Sequence, residues 1–315
     1  MKNSIIKYLV FIGFLLCPIL MKAQQDPQFT QYMYNMNVIN PAYATDNEGV
    51  LNLGGLYRTQ WVGAVGAPKT ASFFAHYPLA KRVEVGLSFV NDAIGDVVNE
   101  NNIYADVAYV IPVSETNKLS FGVKGGMTLF DTNFNNFQYT SEQADPAFAQ
   151  NINRQFPNVG AGAFFFSDKY YLGFSVPNLL TTKHLERKDG IQTTGVEAIH
   201  YFFTGGYVFQ LNPNLKFKPA FMAKGVAGAP LAMDITGNFL INDRLELGVG
   251  YRWDDSVSGL VNFYITPTLR IGYSYDYTLS NLGKYNSGTH EVFLLFDVDL
   301  SRLGSKGFDK SPRFF

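Results

Sequence analysis

From residue 244 to residue 300 the chain runs through four successive segments that alternate apolar with polar side chains at a period of two. The first sets Leu245, Leu247, Val249, Tyr251 and Trp253 on one face and Glu246, Gly248, Gly250 and Arg252 on the other. A later one sets Leu269, Ile271, Tyr273, Tyr275 and Tyr277 against Arg270, Gly272, Ser274 and Asp276. Such runs need an oily environment on one side only, which is either a protein core or a bilayer. The same reading over the whole chain predicts about fourteen strands, an even number as single-chain bacterial barrels require. They fall at 50–59, 70–77, 83–90, 103–113, 118–130, 158–166, 170–176, 199–210, 215–224, 231–241, 244–253, 257–265, 268–277 and 290–300.

The connections separate the two environments. Every second one is tight, at 79–82, 114–117, 167–169, 212–214, 242–243 and 266–267. The intervening ones include long stretches at 60–69, 91–102, 131–157, 177–198 and 278–289, with short exceptions at 225–230 and 254–256. Short turns at one end and longer loops at the other are the arrangement of an outer-membrane barrel, whereas a soluble sandwich has no reason to sort its loops. Paired aromatics near strand ends, such as Tyr251 with Trp253 and Tyr275 with Tyr277, suit the headgroup levels of a bilayer. The expected fold is therefore all-β, a transmembrane antiparallel barrel. Its inward face would carry Glu84, Lys124, Asp234, Glu246, Arg252, Arg270, Asp276 and Asp297, charges that neutralise one another.

Composition agrees with this. Aromatic residues make up 16% of the chain and charged residues only 16%, against about 25% charged in an ordinary soluble protein. Residues 1–23 read as a secretory leader, with Lys2 and Lys7 ahead of an apolar stretch and Ala23 at the cleavage point. Cys17 is the sole cysteine and leaves with the leader, so an exported chain without disulfides must draw its stability from elsewhere, such as a closed sheet. Losing Lys2, Lys7 and Lys22 leaves 22 basic against 26 acidic residues, a balance that offers nothing to nucleic acid. The expected organisation is a leader at 1–23, a lumen plug or periplasmic segment at 24–48, the barrel at 49–300 and a periplasmic tail at 301–315. An ordered cap on the first strand is the alternative for residues 26–43, where Tyr32, Tyr34 and Tyr43 supply adhesive surface.

Several longer motifs sit on this frame. They are QQDPQFTQYMYNMNVINPAYA from Gln24, RTQWVGAVGAPKTASFFAHYPL from Arg58, the pair Asn91–Asp92, and YRWDDSVSGLV from Tyr251. IGYSYDYTLSNL follows from Ile271, YNSGTHEVFLLFD from Tyr285 and a terminal SPRFF from Ser311. In order and in register, they resemble the PorP/SprF family of type IX secretion outer-membrane proteins over essentially the whole mature chain. The resemblance implies an outer-membrane barrel of a Gram-negative bacterium that serves type IX secretion and, in some bacteria, gliding. It further implies contacts with outer-membrane lipid, with the carboxy-terminal domain of a secreted surface adhesin, and with periplasmic secretion or motor components.

Candidate chemistry is sparse. Asp254 and Asp255 adjoin at a tight turn near Arg252, which suggests calcium, a protease site or a partner contact, while the plainer reading is a hydrogen-bonded turn. Proteolysis would require a histidine converging on the same water, and the sequence cannot bring His76, His184, His200 or His290 there. No G-x-S-x-G element is present, and the histidines lack metal-ligand spacing. No catalytic residue, metal or cofactor is expected. Arg252, Asp254, Asp255, Arg270, Asp276 and Trp61 are the candidates for lumen or partner contact. The competing functions are a channel for hydrophobic or small solutes and an outer-membrane hydrolase.

Overall fold

Alternation becomes structure because a strand exposes successive side chains to opposite sides, and a sheet that closes on itself then has an inside and an outside. A computed structural model describes residues 27–134, 151–180, 198–227 and 229–300. The predicted leader at 1–23 and the tail at 301–315 lie outside the described residues, as do the central parts of the loops predicted at 131–157 and 177–198.

The strands are β1 Val50–Thr59, β2 Pro68–Ala80, β3 Val83–Ile94, β4 Val98–Pro112, β5 Lys118–Thr132, β6 Asn153–Phe166 and β7 Tyr170–Val176. They continue as β8 His200–Tyr207, β9 Phe209–Asn212, β10 Leu215–Val226, β11 Ala232–Ile241, β12 Leu245–Arg252, β13 Ser256–Thr266, β14 Leu269–Thr278 and β15 Thr289–Asp299. β8 and β9 are two pieces of one barrel strand, both paired with β10 and broken at Val208, whose N–H bonds to the Lys169 carbonyl at 2.6 Å. Counted so, the barrel has 14 strands, all antiparallel and each beside its neighbour in sequence. It closes through β1 and β15, in register from Val50 opposite Asp299 to Thr59 opposite His290.

All fourteen predicted strands are present. The expected loop at 91–102 is instead strand: β3 runs to Ile94 and β4 restarts at Val98, still paired in register. Its asparagines and acids looked like loop residues because they are polar on both faces. In the hairpin, Asn91 donates to Asn99 at 2.6 Å and Asn101 at 2.9 Å, and Thr70 donates to Asp92 at 2.6 Å. Polar side chains on both faces suit a hairpin that continues beyond the bilayer. At the opposite end the two-residue turn Asn242–Asp243 has φ of 52° and 53° at its two residues, the left-handed pair that matches strand twist and that asparagine and aspartate tolerate best.

The barrel is inverted relative to a soluble protein. Leu247, Val249 and Tyr251 of β12 face out while Glu246 and Arg252 are buried, and β14 buries Arg270, Ser274 and Asp276 while exposing Ile271, Tyr273 and Tyr277. Among the described residues no helix is long and apolar enough to cross a membrane, which leaves the strands to do so. A cation at the middle of the outward face would have to enter hydrocarbon. Val249→Arg is therefore expected to cost about 2–4 kcal/mol, measured by equilibrium denaturation of the protein refolded in phospholipid vesicles.

Candidate functional site

The interior contains a piece of the chain itself. Residues from Phe29 to Thr45 lie inside the barrel, most of them fully buried, with a 3₁₀ turn at Tyr32–Tyr34 and one helical turn at Met36–Ile39. Phe29, Tyr32, Met33, Tyr34 and Ile39 pack on Leu56, Phe74, Phe202, Met222, Phe293 and Leu295, which point inward from the wall. A second cluster joins Met36, Ala42, Tyr43 and Ala44 to Val110, Phe164, Phe166 and Tyr171. The wall is shaped to admit this backbone. A Cβ on Gly122 would stand 2.1 Å from the Pro41 carbonyl oxygen, and one on Gly162 would stand 2.1 Å from Asn40 Oδ1, so glycine at these two positions permits the close approach.

Three polar clamps hold the segment, one at the long-loop end of the wall and two at the short-turn end. Towards the end of the barrel that bears the longer loops, the Thr30 and Gln31 N–H groups donate to the two oxygens of Glu291 at 2.9 and 2.7 Å. Thr30 Oγ1 donates to Asp276 at 2.6 Å and accepts from Arg58 at 2.7 Å. Arg58 completes the cluster with ion pairs to Asp276 at 3.0 Å and Glu291 at 3.1 Å. Lower down, the Tyr34 hydroxyl donates to Glu246 Oε1 at 2.5 Å and accepts from Arg270 at 2.7 Å and Lys218 at 3.2 Å. Arg270 also pairs with Glu246. At the short-turn end Glu84 accepts the N–H groups of Thr45 and Asp46 at 2.8 and 2.7 Å and contacts His76 Nε2 at 2.6 Å, while Lys118 pairs with Asp46.

The six residues singled out from the sequence divide into two sets. Arg252, Arg270 and Asp276 face the lumen: Arg252 Nε bonds Asp234 at 2.6 Å, Arg270 reaches Tyr34, and Asp276 takes Thr30 and Arg58. Asp254, Asp255 and Trp61 lie at the long-loop rim instead. Asp254 is exposed with φ of 55°, the Asp255 carboxylate accepts a long contact from Arg252 at 3.4 Å, and the Trp61 N–H donates to Thr289 Oγ1 at 3.0 Å. His76 serves Glu84, His290 meets the Tyr273 hydroxyl at 2.7 Å and His200 stacks on Phe202, while His184 lies outside the described residues. Sequence reasoning missed Arg58, Glu291 and Thr30, and named Tyr34 only as adhesive surface of the amino-terminal segment. One signal was present: in β15 the run Val292–Phe296 is apolar on both faces, and a strand with an oily inner face needs protein within the lumen.

The rim has structure of its own. Val62 exchanges backbone bonds with Gly288 and Ser287 at 2.8 and 2.7 Å, joining the loop after β1 to the loop before β15. This leaves Val65 wholly exposed and Tyr285 at 73% exposure above it. Beside the upper clamp a cavity of about 70 Å³ remains between Pro27, Gln28 and Phe29 and the wall residues Phe202, Met222 and Lys224. Among the described residues no cluster of three or more histidine, cysteine or acidic side chains is placed to hold a metal ion.

A closed sheet with an oily exterior and a charged, filled interior defines an outer-membrane β-barrel protein. The chain belongs to the PorP/SprF family of type IX secretion system membrane proteins, whose model matches residues 21–296. It is thus an outer-membrane component of that secretion system in a Gram-negative bacterium. No curated protein matches the chain. Solved structures similar to it include a FadL homologue of Pseudomonas aeruginosa, at 12% identity and TM-score 0.46 over 88% of this chain and 96% of that one. The CymD monoaromatic hydrocarbon channel is 11% identical, with TM-score 0.49 over 85% and 92%, and Acinetobacter baumannii Omp33 is 10% identical, with TM-score 0.44 over 81% and 100%. Likenesses this distant bear on neither ligand nor function.

Arg58 is the only cation that the ion pairs described above place against both Asp276 and Glu291. Arg58→Met removes it and leaves Glu291 with only its backbone donors and Asp276 with the charge of Arg252, a loss expected to cost about 3–5 kcal/mol. The lumen segment should then become open to chymotrypsin, which cleaves after aromatic residues such as Tyr32 and Tyr34. Limited proteolysis of the refolded barrel checks this. Asp255→Ala, which gives up one long contact at the rim, should leave the cleavage pattern unchanged.

Proposed function

We propose that this barrel acts by protein–protein contact, displaying or helping to export a specific surface adhesin. The adhesin's carboxy-terminal domain would dock on the long-loop rim, and the short-turn end would face periplasmic secretion or motor components. The observation that carries this reading is the occupied lumen: residues Phe29–Thr45 lie buried in the described interior, and the cavity beside Phe202 and Met222 measures about 70 Å³, little more than a few waters or one side chain. A barrel filled in this way offers its rims rather than a passage. In this reading the short turns are periplasmic, as in other bacterial outer-membrane barrels, the leader is removed after Ala23, and residues 301–315 form a periplasmic contact peptide. Trp61, Asp254 and Asp255 belong to the partner-facing rim together with Val62, Val65 and Tyr285. Arg252, Arg270 and Asp276 act indirectly, by holding the interior in place. The reading involves no turnover, and it does not need a cofactor or metal.

Deleting the gene should leave the outer membrane intact and strip one cognate adhesin from the cell surface, as seen by surface proteomics of mutant and parent. Restoring the gene as Val65→Asp with Tyr285→Asp should return the barrel to the membrane and leave the adhesin missing. Unchanged surface adhesins in the deletion mutant would sink the proposal. The rival reading, a channel for hydrophobic or small solutes, requires solute flux or steady single-channel conductance from the purified protein in planar bilayers. The packed interior predicts neither.

A further inference from the structure

The lumen segment has a direction. Its first clamp, at Thr30 and Gln31, uses Arg58, one residue from the long-loop end of β1, together with Glu291 and Asp276 near the same ends of β15 and β14. Its last clamp, at Thr45 and Asp46, uses Glu84, the second residue of β3 after a short turn, and Lys118, the first residue of β5. Pro27, Gln28 and Phe29 line the cavity beside Asn178, just beyond β7, and beside Lys224 and Ala232, which flank the loop between β10 and β11. The chain therefore descends from the long-loop mouth to the short-turn end before it enters β1. The first clamp engages the long-loop end of the wall, and the other two, built on Glu246 with Arg270 and on Glu84, use the second residues of β12, β14 and β3 at the short-turn end.

We infer that the mature protein threads its own barrel from the outside inward, so that its amino terminus is presented at the extracellular mouth. The inference rests on the orientation and on the leader cleavage given under Proposed function. Covalent geometry decides the outcome. After cleavage at Ala23 only Gln24, Gln25 and Asp26 precede Pro27, and three residues reach at most roughly 11 Å. From the level of Arg58 to that of Val50 the strand rises roughly 27 Å, or about 20 Å along the axis of a tilted barrel. The amino group cannot span that distance back to the periplasmic end. One consequence follows for function. A partner approaching the mouth meets the amino-terminal residues beside the cavity, so the segment that occupies the lumen also contributes to the outer surface.

The mature sequence contains no cysteine, which makes the test direct. Single variants Gln25→Cys and Asp26→Cys are exposed to a membrane-impermeant maleimide on intact cells and on cells with a permeabilised outer membrane. Val65→Cys marks the long-loop rim and Glu115→Cys marks a short turn, both at exposed residues. The expected result is labelling of Gln25→Cys and Asp26→Cys on intact cells, alongside Val65→Cys, with Glu115→Cys reacting only after permeabilisation. If the two amino-terminal variants group with Glu115→Cys, or react in neither state, while Val65→Cys still marks the surface, the inference is overturned and the orientation stands. An exchange of the two marker residues overturns the orientation and the inference together. Intact-protein mass spectrometry reads the leader separately: a chain starting at Gln24 supports the inference, and one starting at Met1 overturns it.

Discussion

Closure of the sheet between β1 and β15 is the constraint on which everything else depends. Within hydrocarbon no water is present to satisfy a bare N–H or carbonyl, so an open edge is prohibitively costly and the ladder has to return to its first strand. The ten register pairs from Val50–Asp299 to Thr59–His290 do this. They also bring the first and last strands of the barrel together. Arg58 and Glu291 stand directly opposite each other in that seam, and the upper clamp on the lumen segment is built on the pair. Closing the barrel and fixing its contents are one event in structural terms.

The closed ring creates an inside that must be filled in a way consistent with its charges. Three buried arginines of the interior each have an acid beside them: Arg58 with Asp276 and Glu291, Arg252 with Asp234, and Arg270 with Glu246. Buried pairs of this kind add little net stability, because desolvation consumes much of the Coulombic gain, yet breaking one is expensive. Their effect here is specificity. Thr30, Gln31 and Tyr34 can satisfy those acids and cations only in one register, while the apolar clusters around Phe29, Tyr32 and Tyr43 supply the burial. At the long-loop end the backbone bridge between Val62 and Ser287–Gly288 ties two of the described loop segments together.

Much of this could be read in the chain, and the exceptions have physical reasons. The strands were legible because alternation is a local property, visible in any eight residues. The hairpin at 91–102 was misread as loop because its residues are polar on both faces, the pattern of a hairpin in water as much as of a loop. The candidates Arg252, Arg270 and Asp276 were visible as charges on the polar side of oily strands. Arg58 and Glu291 carry the same signal more faintly, since the inward faces of β1 and β15 also hold Leu56, Phe293 and Leu295. Those apolar residues belong to the filled interior, and their meaning depends on knowing what fills it.

By itself, then, the sequence determined the number and kind of elements, the outward direction of the oily face and the need for closure, because periodicity and turn chemistry are properties of neighbours along the chain. The tertiary structure alone decided that residues Phe29–Thr45 occupy the lumen, in which direction they run, and which charges hold them. The reason is separation. Thr30 and Glu291 are 261 positions apart, and no local pattern links them until fourteen strands have curled far enough for the last to meet the first.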